Sequence, residues 1–280
     1  GAPLFSFQRG GRVWYDGKVT GLEAAPSFGF GACLGSFLNV VIHRLPKGQS
    51  LVLPGSHCPR CRNPIAFYDN IPILSWLRLR GRCRSCRRSI SPRYPAVESL
   101  MGALGVLLWG RWAGQPVWAA LTVAAAGAFV AVAMIDWDTF LIPDELSLGL
   151  ALTGVLAAPV NPFFASGSWP LSMGKALAGA LIGFFICWGA AAAGEFLFKK
   201  EAMGGGDVKL MAGIGAWTGG LGAFDAIMLA SFLGSIYGLS LMAKGALKRS
   251  DPIPFGPFLS AAAVFNFFLR LPLGFPFVTF

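Results

Sequence analysis

Asp136 ends an apolar run in AVAMIDWDTFLIPDELS, and Asp207 closes a glycine cluster in EAMGGGDVKLMAGIGAW. Ionisable side chains at membrane depth are costly to place and mark candidate functional sites. Two carboxylates within reach of one water can divide the work of base and acid, one ionised while the other keeps a proton. That is the hydrolytic chemistry of an aspartate pair. Asp138 and Asp144 compete with Asp136, because the end of a helix is where a solvated acid appears for ordinary reasons. Pro143 marks a break, and Asp144 suits a cap for the helix beginning near Glu145. Asp136 lies closest to the apolar run and is the better catalyst.

Gly204, Gly205 and Gly206 precede Asp207. Glycine permits unusual backbone angles and close approach of another chain, so these three are candidate substrate-binding residues. Lys209 joins them, against its ordinary role as a lysine snorkelling to the interface. The cluster lacks Gly-Lys-Ser/Thr, which argues against a phosphate loop.

Four of the six cysteines form a second constellation. Cys58 and Cys61 stand in CPRC, and Cys83 and Cys86 in CRSC, giving C-x2-C-x21-C-x2-C. This spacing predicts a closed tetrahedral zinc site of structural type. His57 could substitute as a ligand, but four sulfurs already complete the set. A loop of about fifty residues buries too little core to fold unaided, which makes a metal staple physically sensible. Cys33 and Cys187 fall inside apolar runs, where small packing roles are expected.

The elements that must position these groups follow from composition. Of 280 residues, 55% are hydrophobic and only 13% charged; mean hydropathy is +0.61. A soluble domain carries about a quarter charged residues. The expected fold is an all-α polytopic membrane protein with about eight transmembrane helices and a small zinc-binding cytoplasmic loop. The spans fall near 27–43, 96–112, 116–136, 146–160, 173–195, 206–221, 223–243 and 257–271. Gly29, Gly31 and Gly35 in the first would permit close helix contact.

The net charge of +10 is concentrated between His43 and Pro95, where Asp69 is the sole acid among eleven Lys and Arg residues. In a membrane protein this reads as a cytoplasmic loop near anionic headgroups and not as a nucleic-acid site. Alternation from that loop places 136–145, 196–205 and 244–256 in the cytoplasm too. These carry Lys199, Lys200, Lys244, Lys248 and Arg249, in agreement with the charge rule. Asp136 then ends the third span and Asp207 begins the sixth, both at the cytoplasmic face. The implied organisation is a non-cytoplasmic extension at 1–26, a first span at 27–43, the zinc loop at 44–95 and a transmembrane peptidase domain at 96–280.

At these residues the chain resembles the type IV prepilin peptidases. The matching stretches are GSFLNVVIHRLP, the CPRC and CRSC pairs, DNIPILSWLRLRGRCRSC, ISPRYPAVES, IDWDTFLIPDELS, GGGDVKLMAGIGAW and IPFGPFLS, in order from about residue 30 to the end. GLEAAPSFGFGAC stands where that family has a longer apolar lead. The resemblance implies a bacterial inner-membrane aspartic protease that removes the basic leader of prepilins or pseudopilins after a glycine. It further implies methylation of the new N-terminal residue with S-adenosylmethionine. Asp136 opens the family's first catalytic motif, Asp207 ends its G-x-G-D motif, and the zinc ligands fall on Cys58, Cys61, Cys83 and Cys86. No G-x-G-x-x-G unit marks a Rossmann cofactor site. A methyl-donor site near the zinc loop, with His43, Arg44, Glu98 or Asn39 contributing, is the expectation.

Three other readings share some of these residues. A broader intramembrane aspartic protease would need the pair but not the zinc loop. A proton-coupled transporter could use the carboxylates as a relay, although inverted repeats are not evident. A zinc-loop scaffold would leave the aspartates dispensable.

Overall fold

Lipid offers no partners to backbone N–H and C=O groups, so apolar segments of this chain must pair them internally as helices. The computed structural model describes residues 7–9, 12–14, 21–164, 168–199, 203–248 and 251–269. Most of the 1–26 extension, together with Lys200 and Arg249 of the charge argument, lies outside the described residues. Two three-residue strands, β1 (Phe7–Arg9) and β2 (Arg12–Trp14), pair antiparallel. Helices α1 (Gly21–Arg44), α2 (Leu74–Arg78), α3 (Arg93–Arg111), α4 (Pro116–Thr139), α5 (Asp144–Ala157), α6 (Trp169–Phe198), α7 (Gly205–Ala243) and α8 (Gly256–Phe268) follow. α1, α4, α6 and α7 are long and apolar enough to cross a membrane, and α8 is a shorter apolar helix. The protein is a helical polytopic membrane protein.

At 39 residues α7 would measure about 58 Å if straight, nearly twice the hydrocarbon core of a bilayer. It is not straight. Gly219 has φ 78° and ψ 175°, outside the helical region. A Cβ placed on Gly183 of α6 would touch both Met211 and Ala223, which a continuous helix would hold about 18 Å apart. The chain therefore folds back at Gly219 into two arms, 205–218 and 220–243, close to the two spans expected at 206–221 and 223–243. Counted this way, α1, α3, α4, α5, α6, the two arms of α7 and α8 correspond to the eight expected segments.

The contacts divide the chain into two compact units, residues 1–127 and 128–280, with the division inside α4. In the first, α1 packs on α3. A Cβ on Gly31 would lie 2.2 Å from the Met101 carbonyl oxygen, and one on Gly35 2.8 Å from Glu98 Cα. Only hydrogen fits at either position, so these two glycines set the helix spacing. Gly29, expected to join them, faces open space.

In the second unit α7 is the central element, packed by α5, α6 and α8. The reversal at Gly219 frees carbonyl groups that a continuous helix would have paired. Buried asparagines bond to backbone carbonyls on both sides of the reversal. Asn161 Nδ2 donates to Trp217 O at 2.9 Å, and Asn266 Nδ2 donates to Gly222 O at 3.1 Å. The Trp217 indole N–H in turn donates to Leu150 O on α5 at 2.9 Å, and its ring meets Phe267 of α8 edge-on.

Candidate active site and metal centre

α4 delivers Asp136 in its last turn. The chain then turns through Phe140, which has φ 56°, and enters α5 at Asp144. α7 delivers Asp207 in its first turn, where the Asp207 N–H donates to Gly204 O at 3.1 Å. Asp136 is 5% exposed and Asp207 9%, and the two carboxylates interact electrostatically. The structure thus brings together two carboxylates that the sequence separates by 71 positions (207 − 136). Asp138, two residues on, is exposed.

The two carboxylates are held differently. Oδ2 of Asp136 accepts the backbone N–H of Gly256, at the start of α8, at 2.8 Å. A Cβ on Gly256 would sit 2.7 Å from that oxygen, so the approach requires glycine. Oδ1 of Asp207 is buried with no hydrogen-bond partner among the described residues. An acceptor left open in this way suits a water or substrate atom. Gly256 lies in IPFGPFLS, where no local signal ties it to Asp136.

The glycine cluster separates by position. A Cβ on Gly206 would lie 2.9 Å from Ile142 Cβ, one on Gly204 3.5 Å from Asp207 Oδ2, and one on Gly205 would meet nothing within 4 Å. Lys209 Nζ makes an exposed ion pair with Asp144 at 2.8 Å. Asp144, expected as a cap, starts α5 from the first turn without capping it; the N-cap is Pro143. Asp225, a third buried aspartate at 5% exposure on the second arm of α7, carries the same signal of a charge in an apolar run, and the sequence reading missed it.

Cys58, Cys61, Cys83 and Cys86 converge with all four sulfurs within 4.8 Å of one another and could hold a metal ion. The Cys58–Cys86 and Cys61–Cys83 sulfur separations are 3.8 and 4.0 Å. The two halves are copies of one turn. Cys58 N donates to Asn63 O and Arg62 N to Cys58 O; Cys83 N donates to Arg88 O and Arg87 N to Cys83 O. Arg62 and Arg87 both take φ 59°. Each turn aims two sulfurs at one point. N–H groups of Cys61 and then Arg60 pull the Cys58 thiol down to about 6, toward the thiolate a metal needs.

The single acid of the basic loop also has a defined role. Arg84 Nε and Nη2 form a fork on Asp69, the second bond at 2.6 Å. That hydrogen bond holds the Asp69 carboxyl below its ordinary range. The polar residues suggested for a methyl-donor site hold this same region together. Glu98 accepts the Ile73 N–H at 2.7 Å, Asn39 Nδ2 donates to Tyr94 O at 3.2 Å, and Arg44 donates to Ser50 O at 3.0 Å and Gly55 O at 3.4 Å. His43 is exposed beside Lys47. Cys187 is buried as expected, whereas Cys33 is exposed and does not pack.

Two family models match the chain. Residues 30–112 match the Bacterial Peptidase A24 N-terminal domain, and residues 123–239 match the Type IV leader peptidase family. The chain is 38% identical to a prepilin leader peptidase/N-methyltransferase of Aeromonas salmonicida, covering 84% of this chain and 87% of the relative. It is 37% identical to a type 4 prepilin-like proteins leader peptide-processing enzyme of Escherichia coli, covering 86% and 91%. A Burkholderia pseudomallei prepilin leader peptidase/N-methyltransferase is 32% identical, covering 97% and 94%. No solved structure matches.

Proposed function

The chain belongs to the type IV leader peptidase family, and from that premise we propose that it cleaves the leader of prepilins or pseudopilins with Asp136 and Asp207 as its catalytic pair, then N-methylates the new N-terminal residue. That it is a peptidase follows from the family. The observation that carries the catalytic assignment is the pair itself. Two buried, interacting carboxylates are held within one unit, one fixed by Gly256 and the other with an oxygen that has no hydrogen-bond partner among the described residues.

The pair works with one proton between its two members. One carboxylate takes a proton from water as the water oxygen attacks the scissile carbonyl carbon, and the other carboxyl gives its proton to the carbonyl oxygen. Collapse of the tetrahedral species breaks the C–N bond, and the leaving amine departs with a proton from the pair. Gly256 keeps Asp136 at one angle throughout. Gly205 presents an open backbone to an extended substrate segment. Gly204, Gly206 and Lys209 support that segment indirectly, through Asp207, Ile142 and Asp144.

The four sulfurs suit structural zinc. A tetrahedral ion with bonds of about 2.3 Å spaces its sulfurs about 3.8 Å apart, and the 3.8 and 4.0 Å separations agree with this. When bound, S-adenosylmethionine would supply a methyl group carried on a sulfonium for transfer to the new N-terminal amine. The positive-inside pattern supports a cytoplasmic active site in a bacterial inner membrane, with the cationic leader approaching from that side. The broader-protease reading, without methyl transfer, fits less well with the names of the relatives.

The test combines activity with topology. Purified chain incubated with a prepilin should release the leader and, with labelled methyl donor, label the new N-terminus. Single cysteines placed at 136 and 207 should react with an impermeant thiol reagent from the same membrane face. Labelling from opposite faces would overturn the mechanism.

A further inference from the structure

α6 and the first arm of α7 run antiparallel and touch backbone to backbone. A Cβ on Gly179 would lie 2.3 Å from Gly215 O, one on Gly215 2.0 Å from Gly179 O, and one on Gly183 2.3 Å from Met211 O. No side chain fits at these three positions, so the helices approach as closely as their backbones allow. The pairs Gly179–Gly215 and Gly183–Met211 step by four residues in opposite directions, about one turn of each helix. The next step in that register sets Cys187 against Asp207. Cys187 is fully buried and interacts electrostatically with Asp207.

The thiol turns toward the chain ahead of Asp207. Cys187 Sγ donates to Met203 Sδ at 3.0 Å, and Met203 directly precedes the glycine cluster. A thiol is a weak donor and a thioether a weak acceptor, so the contact acts more as packing than as a hydrogen bond, in the manner of a methionine filling a gap. With the thiol engaged by Met203, Oδ1 of Asp207 keeps no partner among the described residues.

The turn between Met203 and Asp207 has little stiffness of its own. Gly204 and Gly205 are exposed, and glycine leaves the backbone free to adopt other angles. The turn is tied at its start by Met203 on Cys187 and near its end by Ile142, which fills the space beside Gly206.

We propose that Cys187 is a positioning residue for the catalytic pair: it seats Met203, and through Met203 the glycine turn that delivers Asp207 to Asp136. This rests on the reading that Asp207 is catalytic.

The test is leader-cleavage kinetics on one purified prepilin for Cys187→Ala, Met203→Ala and the double variant, in full chain that keeps its metal and remains monodisperse. Each single change should lower kcat about 10- to 100-fold with KM unchanged, because a misplacement of about 1 Å costs up to about 100-fold. The double variant should fall no further than the worse single one, since both break one contact. Met203→Leu, which refills the space, should recover most of kcat. Should Cys187→Ala fail to fold, Met203→Ala and Met203→Leu read the same contact from its half-buried partner. Wild-type kcat in the folded single variants, additive losses, a loss confined to KM, or no recovery with leucine overturns the proposal. Asp207→Asn is the control. If it is inactive while the Cys187 and Met203 variants cleave normally, only the positioning role falls. If it is active, the catalytic reading falls and this role with it.

Discussion

The backbone N–H of Gly256 donates to Oδ2 of Asp136 at 2.8 Å across 120 residues of sequence. Gly256→Ala would bring a methyl group to 2.7 Å from that oxygen, closer than such atoms approach. The carboxylate must move, and a displacement of about 1 Å can cost about 100-fold in turnover. Leader-cleavage kinetics on a purified prepilin should register that loss, mainly in kcat. Wild-type turnover in a folded Gly256→Ala protein would mean that the contact does not orient the catalyst.

Asp136→Asn and Asp207→Asn should each lower leader cleavage by on the order of 10²–10⁴-fold or more, because neither residue can serve as both acid and base. Asp138→Asn should cleave at near the wild-type rate, since that side chain is exposed where Asp136 is buried. The comparison needs only initial rates on one substrate. The reverse order, with Asp138→Asn inactive and Asp136→Asn active, would reassign the catalyst.

What could be read from the sequence, and what could not, follows the range of the interactions. The cysteine set was legible because ligand spacing is local to each C-x2-C turn. The aspartates were legible because charge is conspicuous in apolar runs and topology is cumulative along the chain. The hairpin in α7 was legible as two adjoining spans, with its turn found at Gly219 instead of 221–223. Gly256 was not legible, because its role depends on a partner 120 residues away. Gly206 meeting Ile142, and Lys209 pairing with Asp144, are hidden for the same reason. Cys33 was misjudged because an apolar run does not say which face of a helix is covered.

The metal centre should give about one zinc per chain by elemental analysis. Cys58→Ser or Cys86→Ser should release it and expose the loop to protease, because the two copied turns have little else in common to hold them. Cys187→Ser should keep the metal. Full zinc retention after two ligand cysteines are replaced would exclude the site.

The reversal at Gly219 makes a stability prediction. Asn161→Ala or Asn266→Ala removes a buried side-chain hydrogen bond to a backbone carbonyl beside the turn, at a cost of about 0.5–1.5 kcal/mol each. Thermal unfolding in one detergent should show both variants below wild type. A surface change such as Leu221→Ala, at a residue 76% exposed, serves as the reference. Unchanged melting of both asparagine variants would mean that those carbonyls find other partners.

Gly206 allows the two roles of a glycine cluster to be told apart. If its lack of a side chain serves the substrate, any enlargement there acts on the bound peptide. The structure gives the space to Ile142, whose Cβ would lie 2.9 Å from a Cβ at 206, on the turn between Asp136 and α5. Gly206→Val should therefore push that turn away and lower cleavage by about 10- to 100-fold through the geometry of the pair. Ile142→Ala should restore much of the loss in the double variant, because it removes the colliding atoms. A double-mutant cycle on kcat/KM measures that coupling directly. At Gly205, where a Cβ meets nothing within 4 Å, valine should leave the fold intact and act on KM for the prepilin if the peptide passes there. Additive effects of Gly206→Val and Ile142→Ala would return Gly206 to the substrate.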